Sequence, residues 1–219
     1  MLSNDTRIKI ENIVKGNVVE GGQDTCTTIR NLLCTSFTSS PTVKKDFESK
    51  QLVKKEQAVF LGNYCKETNL WFTKLPIGGT YFAKGGEALV FLDKDGKSVL
   101  KLNDAIYYAT WLEFFNSLLL HNLFFPNTAY TFLGFYFSED ILYAILKQPY
   151  IKSDSVVEIG DVKQHLEFNG FENHIRHDYK HEELGLLLED MHDENVLVNS
   201  ETLFFIDTVF YVLPSLNSK

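Results

Sequence analysis

A small set of polar residues in this chain has types and spacing that suit phosphate chemistry. Asp190 and Asn195 form a D-x-x-x-x-N pattern in a polar loop, and Asp207 follows at the end of a strand-like run. Lys101 ends another strand-like run far upstream. Carboxylate and amide oxygens bind Mg²⁺, a lysine binds phosphate oxygens, and a further carboxylate can accept a hydroxyl proton. These residues therefore predict a site for phosphoryl transfer.

The D-x-x-x-x-N pattern alone is weak, because Asp and Asn also cap neighbouring backbone in polar loops. Its coincidence with Asp207 and with a lysine on a strand favours a functional site. His192 lies inside the loop, and we interpret it as a residue that shapes the loop by hydrogen bonding rather than as a base.

The elements that must position these residues are strands and one helix. The Asp95-Gly96 dipeptide between two β-rich runs predicts a hairpin, because Gly takes the positive φ that such turns need. Asn103 or Asp104 can cap a following helix. The predicted order is three strands (80–83, 88–92 and 98–102), a helix (105–122) and two strands (130–137 and 141–151).

The two ends of the chain differ from this middle part. Helix-like patches separated by Ser/Thr-rich text predict a helical extension over residues 1–75. After Pro149, the pattern predicts a short helix at 161–168 and an irregular, His-rich piece as far as Glu183. A strand, the polar loop and two short strands about the turn 199–201 follow.

Longer motifs carry a resemblance to a known family: KGGEALVFLDKDGKSVLKL, LLLHNLFF, QPYIK and DMHDENVLV. Through them, residues 70–212 resemble the protein-kinase-like superfamily. The chain is most similar to the Ser/Thr/Tyr kinase domains of polyvalent proteins of bacterial mobile elements. It is also similar to aminoglycoside and choline-type phosphotransferases.

The resemblance implies an α+β, two-lobed kinase-like fold. We expect a five-stranded antiparallel N-lobe at 76–147 and a truncated C-lobe at 148–219, preceded by the extension. ATP would lie between the lobes, with its adenine bound to backbone of a hinge near residues 148–151.

The resemblance also implies roles for single residues. Asp190 would orient the attacking hydroxyl and accept its proton, Asn195 and Asp207 would hold Mg²⁺, and Glu113 would pair with Lys101. The glycine flap is depleted, since only Gly85 remains at a glycine position of the usual motif, with Gly86 beside it. The residues predicted to bind ATP are Gly85, Gly86, Val90, Val99, Lys101, Glu113, Gln148 and Tyr150.

Departures from the kinase pattern bear on the acceptor. Leu188-Glu189 replaces the His-Arg that precedes the catalytic aspartate, and Thr208-Val209 replaces Phe-Gly. The short stretch after Asp207 predicts no activation segment. We therefore expect the acceptor to be held by the extension, by the His-rich segment or by another chain.

The predicted activity is transfer of the ATP γ-phosphate to a hydroxyl, by family likeness that of protein Ser, Thr or Tyr, with self-phosphorylation as one form. The alternatives are a pseudokinase that binds nucleotide as a regulatory module, a small-molecule kinase, and transfer of AMP from reversed ATP. The sequence does not decide among them.

Composition and charge limit the classes of binding partner that we expect. The net charge of −8 argues against unaided binding to nucleic acid or anionic membrane. The start of the chain lacks signal-peptide features, and we expect a cytoplasmic protein. Cys26, Cys34 and Cys65 indicate neither a disulfide framework nor a zinc site. The histidines 174, 177 and 181 are interpreted as a solvated surface segment rather than a metal site.

Overall fold

The computed structural model of the chain describes residues 2–21, 24–37, 47–75, 81–84 and 88–214. The helices are α1 (Asn4–Val14), α2 (Thr25–Phe37), α3 (Phe47–Glu67), α4 (Trp111–Phe124) and α5 (Ile159–Phe168), with a 3₁₀ turn at Pro126–Thr128. The strands are β1 (Trp71–Phe72), β2 (Tyr81–Lys84), β3 (Ala88–Leu92), β4 (Ser98–Asn103), β5 (Thr131–Ser138), β6 (Ile141–Pro149), β7 (Glu172–Ile175), β8 (Asp178–His181), β9 (Leu186–Glu189), β10 (Val196–Asn199), β11 (Thr202–Phe205) and β12 (Val209–Val212). The predicted α+β class is confirmed.

The chain divides into two compact units. The sheet unit contains Gln23–Phe115 and Tyr130–Tyr150, and the hairpin unit contains Met1–Gly22, Asn116–Ala129 and Ile151–Lys219. The residues of the predicted extension 1–75 are divided between the two units. Helix α1 belongs to the hairpin unit, and α2 and α3 belong to the sheet unit. One boundary between the units follows Tyr150, within the segment predicted as a hinge.

The sheet unit is built on a sheet with the strand order β1-β5-β6-β4-β3-β2. Its antiparallel part, β2 to β6, contains the five strands predicted from the sequence. A sixth strand was not predicted: the two residues of β1 pair in parallel with β5, Trp71 opposite Phe135. The β3–β4 turn is closed by Asp95, whose Oδ1 accepts the N–H groups of Lys97 (2.7 Å) and Ser98 (2.9 Å).

Aromatic rings from α4 and β5 fill the core of the sheet unit. Phe115 packs edge-on against Phe132, with ring centroids 5.1 Å apart, and Trp111 packs in the same way against Phe135 at 5.1 Å. All four rings are buried. Such pairs add to the apolar area that they bury, so this cluster anchors the helix on the sheet.

The cysteines are buried thiols. Cys26, Cys34 and Cys65 lie in the core as thiols, outside any disulfide. Burial raises the pKa of Cys26 to about 12, with the nearby Asp24 carboxylate as a smaller cause, and burial alone raises the pKa of Cys65 to about 12. These two thiols therefore remain protonated and unreactive at neutral pH.

Helix α4 begins later than predicted. Asn103 and Asp104 do not cap a helix at residue 105; their side chains accept the N–H groups of Ala105 (2.7 Å) and Ile106 (3.0 Å) in a turn. The helix begins at Trp111 and is capped by Thr110, whose Oγ1 accepts the N–H of Glu113 at 3.1 Å. The sequence carries this signal as a T-x-x-E capping box, which competes with the upstream polar residues.

A glycine in β5 allows the close approach of the chain before β1. Gly134 has a φ of +148°, and a Cβ on it would lie 2.2 Å from the carbonyl oxygen of Leu70. That carbonyl accepts the N–H of Phe135 at 2.8 Å. The position therefore requires glycine both for its backbone conformation and for space.

Replacing Gly134 by Ala should destabilise the protein strongly. We expect a loss of about 3 kcal/mol in the free energy of unfolding, from backbone strain and from displacement of the Leu70 carbonyl. The matched control is Gly96→Ala, because Gly96 also has a positive φ (+63°) but has nothing within 4 Å of the added Cβ. Urea unfolding measures the free energy of unfolding of both variants. Equal losses of this free energy would show that crowding at Gly134 is unimportant.

The hairpin unit contains two antiparallel sheets. One has the order β12-β9-β8-β7, and the other is the β10–β11 pair. Helix α1 buries Ile10 and Ile13, and its Arg7 forms an ion pair with Glu183 (2.6 Å). The predicted irregular segment before Glu183 is instead the β7–β8 hairpin, which the sequence conceals because β7 is exposed and lacks an apolar alternation.

The histidines of this segment do not share one environment. His174 and His177 are exposed, but His181 is buried against Phe171, with ring centroids 5.1 Å apart. Its Nδ1 accepts the N–H of Leu184 at 3.3 Å. The interpretation of all three as a solvated surface is therefore wrong for His181, which is a core residue.

Across the part of the chain that the structure describes, no helix combines the length and apolar character needed to span a membrane.

Candidate active site

Two antiparallel ladders bring the predicted acidic residues to one junction. In the β10–β11 pair, Val196 lies opposite Phe205, and the N–H of Ile206 donates to the carbonyl of Asn195 at 3.0 Å. In the β9–β12 pair, Glu189 lies opposite Val209. Asp190 follows Glu189, Asn195 precedes Val196, and Asp207 lies between Phe205 and Val209. The ladders therefore place the ends of the D-x-x-x-x-N loop beside the segment that carries Asp207.

The loop from Asp190 to Asn195 is closed by its own hydrogen bonds. Asn195 Nδ2 donates to the Asp190 carbonyl (2.8 Å) and to Asp190 Oδ2 (3.1 Å). Both partners are acceptors, so the amide NH₂ must face Asp190. Asn195 Oδ1 is thus the side-chain atom able to bind a cation.

Asp190 itself has an unusual backbone and an accessible side chain. Its φ is +65°, a left-handed conformation that Asp and Asn adopt more readily than most residues. Its side chain is 61% exposed. The carboxylate can therefore be reached by a large acceptor as well as by a small one.

His192 helps to shape the loop. Its Nδ1 accepts the N–H of Glu194 (3.1 Å), and its Nε2 lies 3.3 Å from both Asp190 Oδ1 and Asn195 Nδ2. The His192 N–H also donates to the Asp190 carbonyl at 2.9 Å. These contacts agree with the interpretation of His192 as a loop-shaping residue.

The β7–β8 hairpin holds the loop from outside, which the sequence did not indicate. Asp178 Oδ1 accepts the N–H of Asp190 at 3.1 Å, and the His177 carbonyl accepts the N–H of Met191 at 2.9 Å. Both contacts link residues that no spacing rule connects. Asp178 is therefore a supporting residue found only from the structure.

Negative charge is concentrated at this junction. The pKa of Glu189 is raised by burial first, and then by the carboxylates of Asp178 and Asp190. Within the described residues, no group of three or more His, Cys, Asp or Glu could hold a metal by itself. Mg²⁺ bound to a nucleotide takes most of its ligands from phosphate and water, so the oxygens of Asn195 and Asp207 fit this ion.

A buried histidine fixes the segment just after Asp207. His121 is fully buried, its Nδ1 lies 2.8 Å from Thr208 Oγ1, and its Nε2 lies 2.9 Å from the Thr128 carbonyl. Thr128 Oγ1 donates in turn to the Phe205 carbonyl (2.5 Å). His121 lies within the motif LLLHNLFF, but the sequence assigned it no role.

Loss of the Thr208 hydroxyl should weaken this network. We expect Thr208→Val to lower the free energy of unfolding by about 1–3 kcal/mol, because it removes the hydroxyl that lies 2.8 Å from the buried Nδ1 of His121. Thr208→Ser keeps the hydroxyl and should cost less than about 1 kcal/mol for the lost methyl group. Urea denaturation of both variants tests this, and equal stability of the two would contradict a role for the hydrogen bond.

In the sheet unit, Lys101 is buried in the middle of the sheet. It lies on β4 between Val90 of β3 and Leu146 of β6, and it is 5% exposed. Its Nζ lies 3.4 Å from Tyr130 Oη and 5.3 Å from the centre of the Tyr130 ring. A lysine is costly to bury, and the role of Lys101 as a phosphate ligand stays a prediction.

Glu113 has other partners than the predicted one. Its carboxylate accepts the N–H of Ala109 (2.9 Å) and forms an ion pair with Lys50 (3.3 Å). The Lys101–Glu113 pair therefore stays a prediction.

The remaining predicted nucleotide ligands lie along the sheet. Val99 is buried on β4 opposite Gln148, which is buried on β6. The N–H of Tyr150 donates to the Lys97 carbonyl at 2.9 Å, so this N–H is already engaged. Gly85 and Gly86 lie outside the described residues.

One comparison with known proteins gives a match. The model of a family described as "Serine/Threonine/Tyrosine Kinase found in polyvalent proteins" matches residues 54–214. The matched region contains Lys101, Asp190, Asn195 and Asp207. No curated protein and no solved structure matches the chain significantly.

Proposed function

Since the chain belongs to the family of Ser/Thr/Tyr kinases found in polyvalent proteins, we propose that it transfers the γ-phosphate of ATP to a protein hydroxyl. Mg²⁺ is the proposed cofactor, and the cytoplasm is the proposed location. The acceptor would be a Ser, Thr or Tyr side chain.

The observation that carries the proposal is the closed loop between Asp190 and Asn195. Asn195 donates to the Asp190 carbonyl and carboxylate from Nδ2 (2.8 and 3.1 Å), and this orients its Oδ1 away from them. The β-ladders place Asp207 on the neighbouring segment. The proposal thus takes a carboxylate for the acceptor and two oxygen donors for a cation from neighbouring segments of backbone.

The proposed reaction assigns one task to each residue. Asp190 accepts the proton as the acceptor oxygen attacks the γ-phosphorus; an O–P bond forms, and the bond to the bridging β–γ oxygen breaks, which leaves ADP. Lys101 binds the α- and β-phosphate oxygens. Asn195 and Asp207 would hold Mg²⁺, which neutralises charge on the phosphates when it is bound.

The test is incubation of wild type and Asp207→Ala with Mg²⁺ and ATP labelled at either the α or the γ position. We expect label from γ to appear on protein with wild type and to disappear with Asp207→Ala. Label from α would overturn the proposal in favour of AMP transfer. ATP binding without any turnover would overturn it in favour of a pseudokinase, and γ-label found only on small hydroxyl compounds would indicate a small-molecule kinase.

A further inference from the structure

The turn of the β7–β8 hairpin, Ile175–Asp178, is bound to the loop that carries the proposed base. The His177 carbonyl accepts the N–H of Met191 (2.9 Å), and Asp178 Oδ1 accepts the N–H of Asp190 (3.1 Å). The rings of His177 and His192 lie edge to face, with centroids 6.3 Å apart. The position of the turn relative to Asp190 is therefore fixed by backbone and side-chain contacts.

This turn presents an arginine to solvent. Arg176 is exposed, and its guanidinium makes no hydrogen bond or ion pair with any residue that the structure describes. Its backbone is held, since φ is +51° and the carbonyl accepts Asn173 Nδ2 at 2.9 Å. By contrast, Arg7 is paired with Glu183 and Arg30 is buried. Arg176 is thus a cation on a fixed backbone, ready to bind an external anion.

The negative charge of the neighbouring loop suggests what Arg176 binds. Asp190, Asp193 and Glu194 make the loop acidic, and an acceptor with negative charge beside its hydroxyl would be repelled by it. A guanidinium one residue from His177 can offset that repulsion. Its planar fork also matches the two oxygens of a carboxylate or a phosphate.

The edge of the sheet that contains β7 offers a binding surface for a polypeptide. β7 is the outer strand of the order β12-β9-β8-β7, and all four of its residues are exposed. A peptide segment can pair with such an edge through its main chain. Ile175, 56% exposed at the end of β7, offers an apolar contact to the same segment.

We propose that the β7–β8 hairpin binds the acceptor, and that Arg176 pairs with an anionic residue next to the hydroxyl that receives phosphate. The acceptor is a polypeptide with Glu, Asp or a phosphorylated residue beside Ser, Thr or Tyr. This inference rests on the proposed kinase function and specifies its substrate class. It selects the His-rich segment from the three elements that the sequence offered for holding the acceptor.

The experiment uses synthetic peptides that differ only in the residues flanking one Ser: Glu, phosphothreonine or Lys. The kcat/KM for each peptide is measured with wild type, Arg176→Glu and Arg176→Lys, and the KM for ATP is measured in parallel to report on the nucleotide site. The matched control is Lys163→Glu, since Lys163 is an exposed cation of the same unit that faces Glu167 at 3.7 Å. A second set of the same peptides, with Ala in place of Ser, shows whether that Ser is the residue that receives the label.

Wild type should prefer the anionic peptides over the Lys peptide by roughly tenfold, through KM. Arg176→Glu should reverse the order, Arg176→Lys should restore most of it, and Lys163→Glu should leave it unchanged. A larger effect with phosphothreonine than with Glu would identify phosphate as the preferred anion.

Equal kcat/KM for Glu and Lys peptides with wild type, or an unchanged preference in Arg176→Glu, would overturn the inference. ATP turnover that needs Asp207, with none of the peptides phosphorylated, would overturn the inference and leave the kinase function standing. Absence of turnover that needs Asp207 would overturn both.

Discussion

An Asp190→Asn variant should transfer phosphate roughly 10²–10⁴-fold more slowly than wild type and should remain folded. The amide cannot accept the hydroxyl proton, which is the task proposed for this carboxylate. Asn tolerates the positive φ of +65° at this position, so the backbone need not change. Single-turnover measurements with γ-labelled ATP would follow the transfer step itself.

The control is Asp193→Asn in the same loop. The Asp193 side chain is 68% exposed, and its carboxylate lies 3.8 Å from His192 Nδ1. The Asp193→Asn variant removes one negative charge from the loop, as Asp190→Asn does, but keeps the proposed base. Equal rates for the two variants would show that the charge of the loop, and not proton transfer at Asp190, governs the reaction.

A Lys101→Met variant should lose activity without losing stability. We expect kcat/KM for ATP to fall by roughly 10²–10³-fold, by analogy with the removal of one group that stabilises developing charge. The Tm should be unchanged or higher, because an apolar side chain of similar length replaces a buried ammonium group. Steady-state kinetics and thermal unfolding of the same preparation measure both effects.

The matched control for this variant is Lys94→Met. Lys94 is exposed in the turn between β3 and β4, on the same hairpin as Lys101. The Lys94→Met variant should change neither kcat/KM for ATP nor the Tm. A parallel loss of Tm and activity in Lys101→Met would instead make Lys101 a structural residue of the sheet.

Strands that obey local rules were predictable from the sequence. β3 and β4 are joined by the Asp95-Gly96 turn, and both carry β-branched or aromatic residues. β5 and β6 follow the same rule. Their bounds match the prediction within a few residues, because the turn chemistry and the apolar pattern agree at these positions.

Elements made by distant contacts were not predictable. β1 has only two residues and pairs in parallel with β5, beside the close approach of Leu70 to Gly134. β7 is exposed on the edge of its sheet and has no alternation to reveal it. In both, long-range pairing outweighs local propensity.

In the candidate site, too, local features were predictable and distant contacts were not. The spacing of Asp190 and Asn195 identified the loop, because the loop closes on itself through local hydrogen bonds. Asp178 and His121 were missed as supporting residues, since they contact the site from 12 and 87 residues away in the sequence. No single-sequence pattern records contacts of that range.

The buried thiols make the chain suitable for selective labelling. A maleimide dye reacts with thiolate, and the two cysteines whose pKa is raised to about 12 present almost none at neutral pH. Cys34 is buried as well. A cysteine introduced at His174, on the exposed strand β7, would therefore carry a fluorophore without removal of the native thiols. Its emission could report the arrival of an acceptor peptide at the hairpin in real time, before any phosphate is transferred.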